Sequence, residues 1–165
     1  MHNAFISIKP AYVEKFLCGM KAAEIRNRPL TLSPGSRLWM YSTLPKGCIE
    51  AVACVRSVEV GGPLSIWRQY NEALGVSKNI FDRYVNGSVS ISVILMEKVW
   101  QLPREISLNY LRRKVPNFHP PQFLKYMSES DPLLSAITDF VCNSAGIKYC
   151  RDIGIKKKLE KNWSD

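Results

Sequence analysis

Histidine is scarce in this chain: His2 and His119 are the only two among 165 residues. The five cysteines, Cys18, Cys48, Cys54, Cys142 and Cys150, are odd in number and include no Cys-x-x-Cys pair. A structural zinc site needs four closely spaced thiolate or imidazole ligands, so none is expected, and no other metal or cofactor is called for. The cysteines read as reduced core residues, and their spacing favours no Cys–His nucleophile pair. Long apolar runs are missing too. No stretch approaches the roughly 18–20 residues that a bilayer span requires. The first ten residues hold no basic segment followed by a long apolar one, so no secretory leader is expected and the expected compartment is the cytoplasm. Repeats and low-complexity tracts are absent. With 46% hydrophobic and 22% charged residues, the composition excludes a disordered chain, a collagen-like fibre and a coiled coil. The length suits one compact domain with a short appendage.

Acidic residues are the remaining shortage. Aspartate and glutamate number 14 against 23 lysines and arginines, a net charge of +9. Residues 1–127 carry 17 basic and 8 acidic groups, whereas residues 128–165 carry 6 of each. The whole excess thus belongs to the first part, ahead of the Ser128-Glu129-Ser130-Asp131-Pro132 linker. We therefore expect a domain over 1–127 and a C-terminal helical extension over 128–165. A concentrated positive field attracts polyanions, so nucleic acid or a nucleotide is the expected partner and a membrane is not.

Hydrophobic periodicity and punctuation give the elements. Phe5–Ile8 reads as a strand, and Pro10 opens a helix that Gly19 ends. Ala23-Glu24-Ile25-Arg26 alternates as a half-buried strand does. Leu38–Tyr41 and Ile49–Val58 read as further strands. Gly61-Gly62-Pro63 starts a helix through Leu74, Gly75 stops it, and Ser77 caps the next one. Val89–Trp100 is a strand that should stop before Pro103. Ser107 caps a short helix, and Gln122–Tyr126 returns as a short strand. Asp131 and Pro132 start a C-terminal helix that Gly146 ends. The fold class is α+β: a small, mostly antiparallel barrel decorated by helices, with a C-terminal helical extension.

The most informative stretch is Ser7-Ile8-Lys9-Pro10, then a helix, then Gly19-Met20-Lys21-Ala22-Ala23-Glu24-Ile25-Arg26. The pattern Ser-Ile-Lys-Pro followed by Gly-x-Lys-x-x-Glu-x-Arg resembles the ASCH domain family of the PUA-like superfamily. Pro34–Ser42, the Ile66–Tyr70 and Phe81–Tyr84 segments, and Pro120-Pro121-Gln122-Phe123-Leu124-Lys125-Tyr126 continue the resemblance over about residues 4 to 127. It implies a PUA-like β-barrel and a nucleic-acid-binding cleft between barrel and helices. One branch is similar to amidohydrolases acting on N4-acetylcytidine through a lysine, a threonine three residues on and a carboxylate. Lys21 matches that lysine, Glu24 stands at the threonine position, and Asp82 or Glu50 are candidates for the carboxylate. A metal-independent ribonuclease is a further possibility that the family offers.

The residues carry their own argument. If Lys9, Lys21 and Arg26 converge around Glu24, they form a small cationic pocket suited to a phosphate or a base edge. Among Trp39, Tyr41, Trp67, Tyr70, Tyr84, Phe118 and Tyr126, we favour Tyr41 and Phe118 as platforms for base stacking. Arg112 and Arg113, and the tail's Lys156–Lys158, are candidates for phosphate contacts, and His119 is a loop residue near the site. Three readings follow. The first is a module binding RNA or single-stranded DNA and recognising a base or modified nucleotide. The second is a small hydrolase on a modified nucleoside or on RNA, with Lys21 and Glu24 as the working pair. The third is a protein-interaction module that docks through the C-terminal helix.

Overall fold

A computed structural model describes residues 2–155 of the chain. Within them six strands and five helices follow one another: β1 (Asn3–Ile8), α1 (Pro10–Leu17), β2 (Ala23–Arg26), β3 (Arg37–Ser42), β4 (Cys48–Gly61), α2 (Pro63–Leu74), α3 (Lys78–Val85), β5 (Ile91–Ser107), α4 (Leu108–Lys114), β6 (Leu124–Met127) and α5 (Pro132–Asp152). Helix starts follow local chemistry. Pro10 sits in the first turn of α1. The Ser107 hydroxyl accepts from the Tyr110 N–H, and the Asp131 carboxylate accepts from the Leu133 N–H at 2.9 Å. Ser77 stands at the N-cap of α3 but makes no side-chain capping bond. Gly146 breaks α5 (φ 75°, ψ 167°), as its position beyond the apolar stripe suggests.

The strands form one mixed sheet in the order β2-β5-β4-β3-β1-β6. Only the β1–β3 pair is parallel among the described pairings; the other four are antiparallel. Bulges in the β3–β4 and β4–β5 ladders bend the long strands. One of them explains why β5 runs past Pro103. Ala51 pairs with Gln101 and Ile49 with Ile106, so residues 102–105 loop out of the ladder. Pro103 therefore lacks an N–H where no ladder bond is needed, and the strand continues to Ser107.

The sheet is a half-barrel whose edge strands, β2 and β6, share no backbone ladder. Side chains span the gap instead. Arg26 at the end of β2 donates through Nη2 to the Ser7 carbonyl of β1 at 2.9 Å, and through Nε to the Phe123 carbonyl at 3.4 Å. The Tyr126 hydroxyl donates to the Thr31 carbonyl at 2.9 Å.

Three apolar clusters cover this sheet. Phe5, Trp39, Tyr41 and Ile49 meet α4 and α5, including Ile137, Val141 and Ile153. Ile6, Leu38 and Met40 meet Val13 and Phe16 of α1 on the opposite face. Ala23 and Ile25 meet Ile66 and Leu74 of α2 with Phe81 of α3. The apolar face of α5 thus packs on the sheet. With helices on both sides, all four residues of β2 are buried, including Glu24 and Arg26, where alternation suggested one solvent-facing side. Arg37 pins the chain beyond α5: it lies over the Trp100 ring and donates to the carbonyls of Ile153 and Gly35.

Candidate functional site

The approach to β2 is set by one glycine. Gly75, just after α2, has φ +61°, and a Cβ there would lie 2.6 Å from the Met20 carbonyl oxygen. This close passage is locked by the Ala22 N–H, which donates to the Ala73 carbonyl at 2.8 Å, and by Met96, which donates to the Ala22 carbonyl at 2.9 Å. Lys21 is thereby carried to the end of α2, where its Nζ donates to the Leu74 carbonyl at 2.7 Å. Lys15 makes a parallel bond to the Gly75 carbonyl at 2.7 Å.

From there a chain of charges runs toward the barrel edge. Lys21 Nζ is 3.3 Å from Glu24 Oε2, and Glu24 Oε1 accepts from Arg26 Nη1. Arg26 Nη1 also donates to the Ile25 carbonyl at 2.8 Å, and its other nitrogens reach Ser7 and Phe123 as described. Lys21, Glu24 and Arg26 are only 4%, 6% and 6% exposed. Burial pushes the Lys21 pKa below its usual value, and the Glu24 carboxylate works against that shift. Tyr12 and Phe16 of α1 supply ring faces 5.5 and 5.2 Å from the ammonium. Desolvating charges costs several kcal/mol per ion, so the network persists only because nearly every polar atom has a partner.

Three of the four grouped residues thus converge, and Lys9 stands apart, exposed at the N-cap of α1. The converging three are occupied with protein partners and do not line an open hollow. Tyr41 and Phe118, favoured as stacking platforms, lie in the core. Phe5 stacks on Tyr41 at 5.8 Å and meets Phe118 edge-on at 5.6 Å, and both residues are buried. Tyr41 is buried because it shares the inner face of β3 with Trp39, and Phe118 because its proline-rich loop folds inward. Arg112 and Arg113 are exposed in the last turn of α4, where they also complement the helix dipole. Arg112 Nε donates to the Phe118 carbonyl at 3.3 Å, and His119 beside it is exposed. Lys156–Lys158 lie outside the described residues. The two carboxylates considered for Lys21 are engaged elsewhere. Asp82 pairs with Lys78 on α3, and Glu50 accepts from Ser42 and Lys46 in the β4 bulge. Among the described residues, no group of three or more His, Cys, Asp or Glu side chains is placed to hold a metal.

Exposed groups that were not favoured as site residues lie beside the outer end of Arg26 and along the adjoining β6 edge. Tyr84 of α3 is 42% exposed, and its hydroxyl donates to the Ile25 carbonyl at 3.4 Å. The exposed Arg28 guanidinium lies 4.2 Å from the Phe123 ring centroid. Tyr126 is 55% exposed beside Thr31. These contacts join residues 59 to 97 positions apart, so no local motif could announce them. Tyr84 and Tyr126 were among the seven aromatic candidates, but only tertiary structure separates them from the buried ones. Two open hollows lie elsewhere: about 610 Å³ on α2 beside Arg68, and about 470 Å³ between α1 and the Lys46–Glu50 pair.

No protein-family model matches the sequence. The ASCH domain-containing ribonuclease of Zymomonas mobilis subsp. mobilis is 26% identical over 129 residues, which are 78% of this chain and 86% of the relative. The crystal structure of ASCH from Zymomonas mobilis superposes with a TM-score of 0.74 at 25% identity, covering 81% of this chain and 94% of that one. A point variant of the same protein gives a TM-score of 0.77 at 23% identity, covering 84% and 95%. The ordered motifs between Ser7 and Tyr126, the helix-covered half-barrel that they build and these likenesses converge: the chain is similar in sequence and in fold to the ASCH domain proteins of Zymomonas mobilis.

Proposed function

We propose that this chain binds single-stranded RNA across the rim around Arg26. The observation that carries this reading is the exposed Tyr84 and the Arg28–Phe123 stack, each beside a carbonyl that the buried Arg26 holds, with the exposed Tyr126 farther along β6. Every base has a π face, and stacking on an aromatic side chain contributes about 1–3 kcal/mol per base. A guanidinium offers a fork that matches phosphate oxygens. The +9 excess of residues 1–127 adds a field that draws a polyanion to this part of the molecule. The curated relative's name, a ribonuclease, supports RNA over DNA as the partner.

That name also favours a second reading, in which the bound RNA is cleaved. A ribose 2′-hydroxyl attacks the adjacent phosphorus while the bond to the 5′-oxygen breaks. A base takes the 2′ proton, an acid protonates the leaving oxygen and cations neutralise the equatorial oxygens. The exposed Arg28 supplies cationic charge. Lys21 and Glu24 are the pair this reading uses for proton transfer, which requires the buried network to open toward the RNA.

Fluorescence anisotropy with a short labelled RNA, the same sequence as single-stranded DNA, and duplex RNA tests the first reading. Single-stranded RNA should bind tightest, with affinity falling steeply as salt rises. Tyr84→Ala should weaken binding by about 1–3 kcal/mol while leaving the fold intact. Equal affinity for all three nucleic acids, or no effect of Tyr84→Ala, would refute the rim. Gels of the same RNA, with and without a chelator, test cleavage. Replacing one 2′-hydroxyl by hydrogen should block the cut at that position, and Lys21→Met should abolish turnover in a protein that still melts cooperatively.

A further inference from the structure

Cys142 and Cys150 stand eight residues apart on α5, yet their Sγ atoms are 2.6 Å apart. In an unbroken helix that spacing would separate them by roughly 12 Å along the axis. They meet because Gly146 takes a non-helical conformation between them and turns the second helical piece back. Both cysteines are buried in the cluster that joins α5 to the sheet, together with Val141 and Ile153. The second piece ends at the Ile153 carbonyl, which accepts from the buried Arg37 of β3. The thiol pair therefore sits at the joint that holds the end of the described chain against the half-barrel.

We propose that Cys142 and Cys150 form a reversible disulfide that staples this joint. The oxidant is a small-molecule disulfide. The Cys142 thiolate attacks one of its sulfurs, its S–S bond breaks and one small thiolate leaves, giving a mixed disulfide on Cys142. The Cys150 thiolate then attacks the Cys142 sulfur and expels the second small thiolate. The two protein thiols lose two electrons and two protons, and the small disulfide is reduced to two thiols. The closed loop spans the Gly146 turn, so the bridge holds residues 147–153 in the conformation that the core already uses. Oxidation thus keeps the second helical piece folded back on the first, the arrangement in which the Ile153 carbonyl meets Arg37.

The test uses the full chain with Cys18→Ser, which removes the exposed thiol. The protein is equilibrated in glutathione buffers of graded ratio, acid-quenched, alkylated and mapped by mass spectrometry. A peptide linking Cys142 to Cys150 should appear as the buffer becomes oxidising and vanish on reduction. Under native conditions, trypsin cleavage after the exposed Lys148 and Arg151 should slow about tenfold or more in the oxidised protein. Cys142→Ser and Cys150→Ser, each checked for cooperative melting, should remain cleavable at every ratio. Absence of the linked peptide throughout, a bridge to Cys48 or Cys54 instead, or equal cleavage rates in both redox states would overturn the proposal.

Discussion

Replacing Arg26 by methionine keeps the aliphatic stem and removes the fork that closes the half-barrel. Three carbonyls then lose a donor, those of Ser7, Ile25 and Phe123, and Glu24 keeps only Lys21. Removing one member of a buried ion pair costs about 3–5 kcal/mol. Each orphaned buried acceptor adds about 1–3 kcal/mol, but such terms share partners and do not add. The Ile25 carbonyl retains Tyr84, and Lys21 still faces Glu24, so the lower end applies: a loss of about 3–4 kcal/mol. That is a large fraction of the roughly 5–15 kcal/mol by which a domain is stable. For this chain length it corresponds to a fall in Tm of roughly 6–16 °C. Urea unfolding followed by fluorescence of the buried Trp39 measures the change directly. Arg26→Lys should fall between the two, because an ammonium serves one or two of these carbonyls but cannot span the gap as a fork. Adding Glu24→Gln to Arg26→Met should cost less than Glu24→Gln does alone, since part of the carboxylate's value has already gone. A loss below about 1 kcal/mol for Arg26→Met would refute the latch and return Arg26 to the status of a solvated surface charge.

Gly75→Ala should cost more than about 2 kcal/mol in the same urea assay, because its φ of +61° is strained for alanine and its Cβ would collide with the Met20 carbonyl. Burial, reinforced by Glu105 and Glu50, pushes the Cys48 thiol from 9.0 up to about 12, so the unfolded chain loses this proton first. The stability that Cys48 contributes is complete below pH 9.0 and disappears as pH rises toward 12, so Cys48→Ala should flatten that part of a urea midpoint-versus-pH profile. Arg28→Ala should leave melting nearly unchanged, because the side chain is exposed, yet reduce the salt dependence of RNA binding by about one counterion. Asp131→Ala should lower the urea midpoint by an amount equivalent to about 1 kcal/mol, because the Leu133 N–H at the start of α5 loses its acceptor.

Local chemistry made the elements legible. Pro10, Ser107, Asp131 and Gly146 each act within a turn of their own position, so the helix starts and the break in α5 can be read from neighbours. Pro103 misleads because a bulge removes the ladder bond that a proline would forfeit, and that bulge depends on the register of a strand some fifty residues earlier. Burial was harder to read. In β3, Leu38 and Met40 face one apolar cluster while Trp39 and Tyr41 face another, so alternation carries no label for inside and outside. The same double cover hides Glu24 and Arg26, whose charges alone suggest a wet face. The Lys21-Glu24-Arg26 motif correctly marks a place where side chains meet, but their exposure depends on α1, α2 and the Phe123 loop, none of which the motif contains.

The charges of this domain divide by depth, and that division orders their roles. Lys21, Glu24 and Arg26 satisfy one another and the ends of neighbouring elements, so their geometry is fixed before any ligand arrives. Arg28 and Tyr84 occupy the next layer out, and each rests on an atom that the inner network positions. Tyr84 hangs on the Ile25 carbonyl that Arg26 also holds, and Arg28 lies over Phe123, whose carbonyl Arg26 also holds. The spacing between the two outer groups is therefore set by one buried guanidinium. If RNA binds across this rim as proposed, Arg26 acts through the arrangement of Tyr84 and Phe123, and its loss should disturb stability and binding together. Arg28, which supports nothing beneath it, can be lost from binding alone.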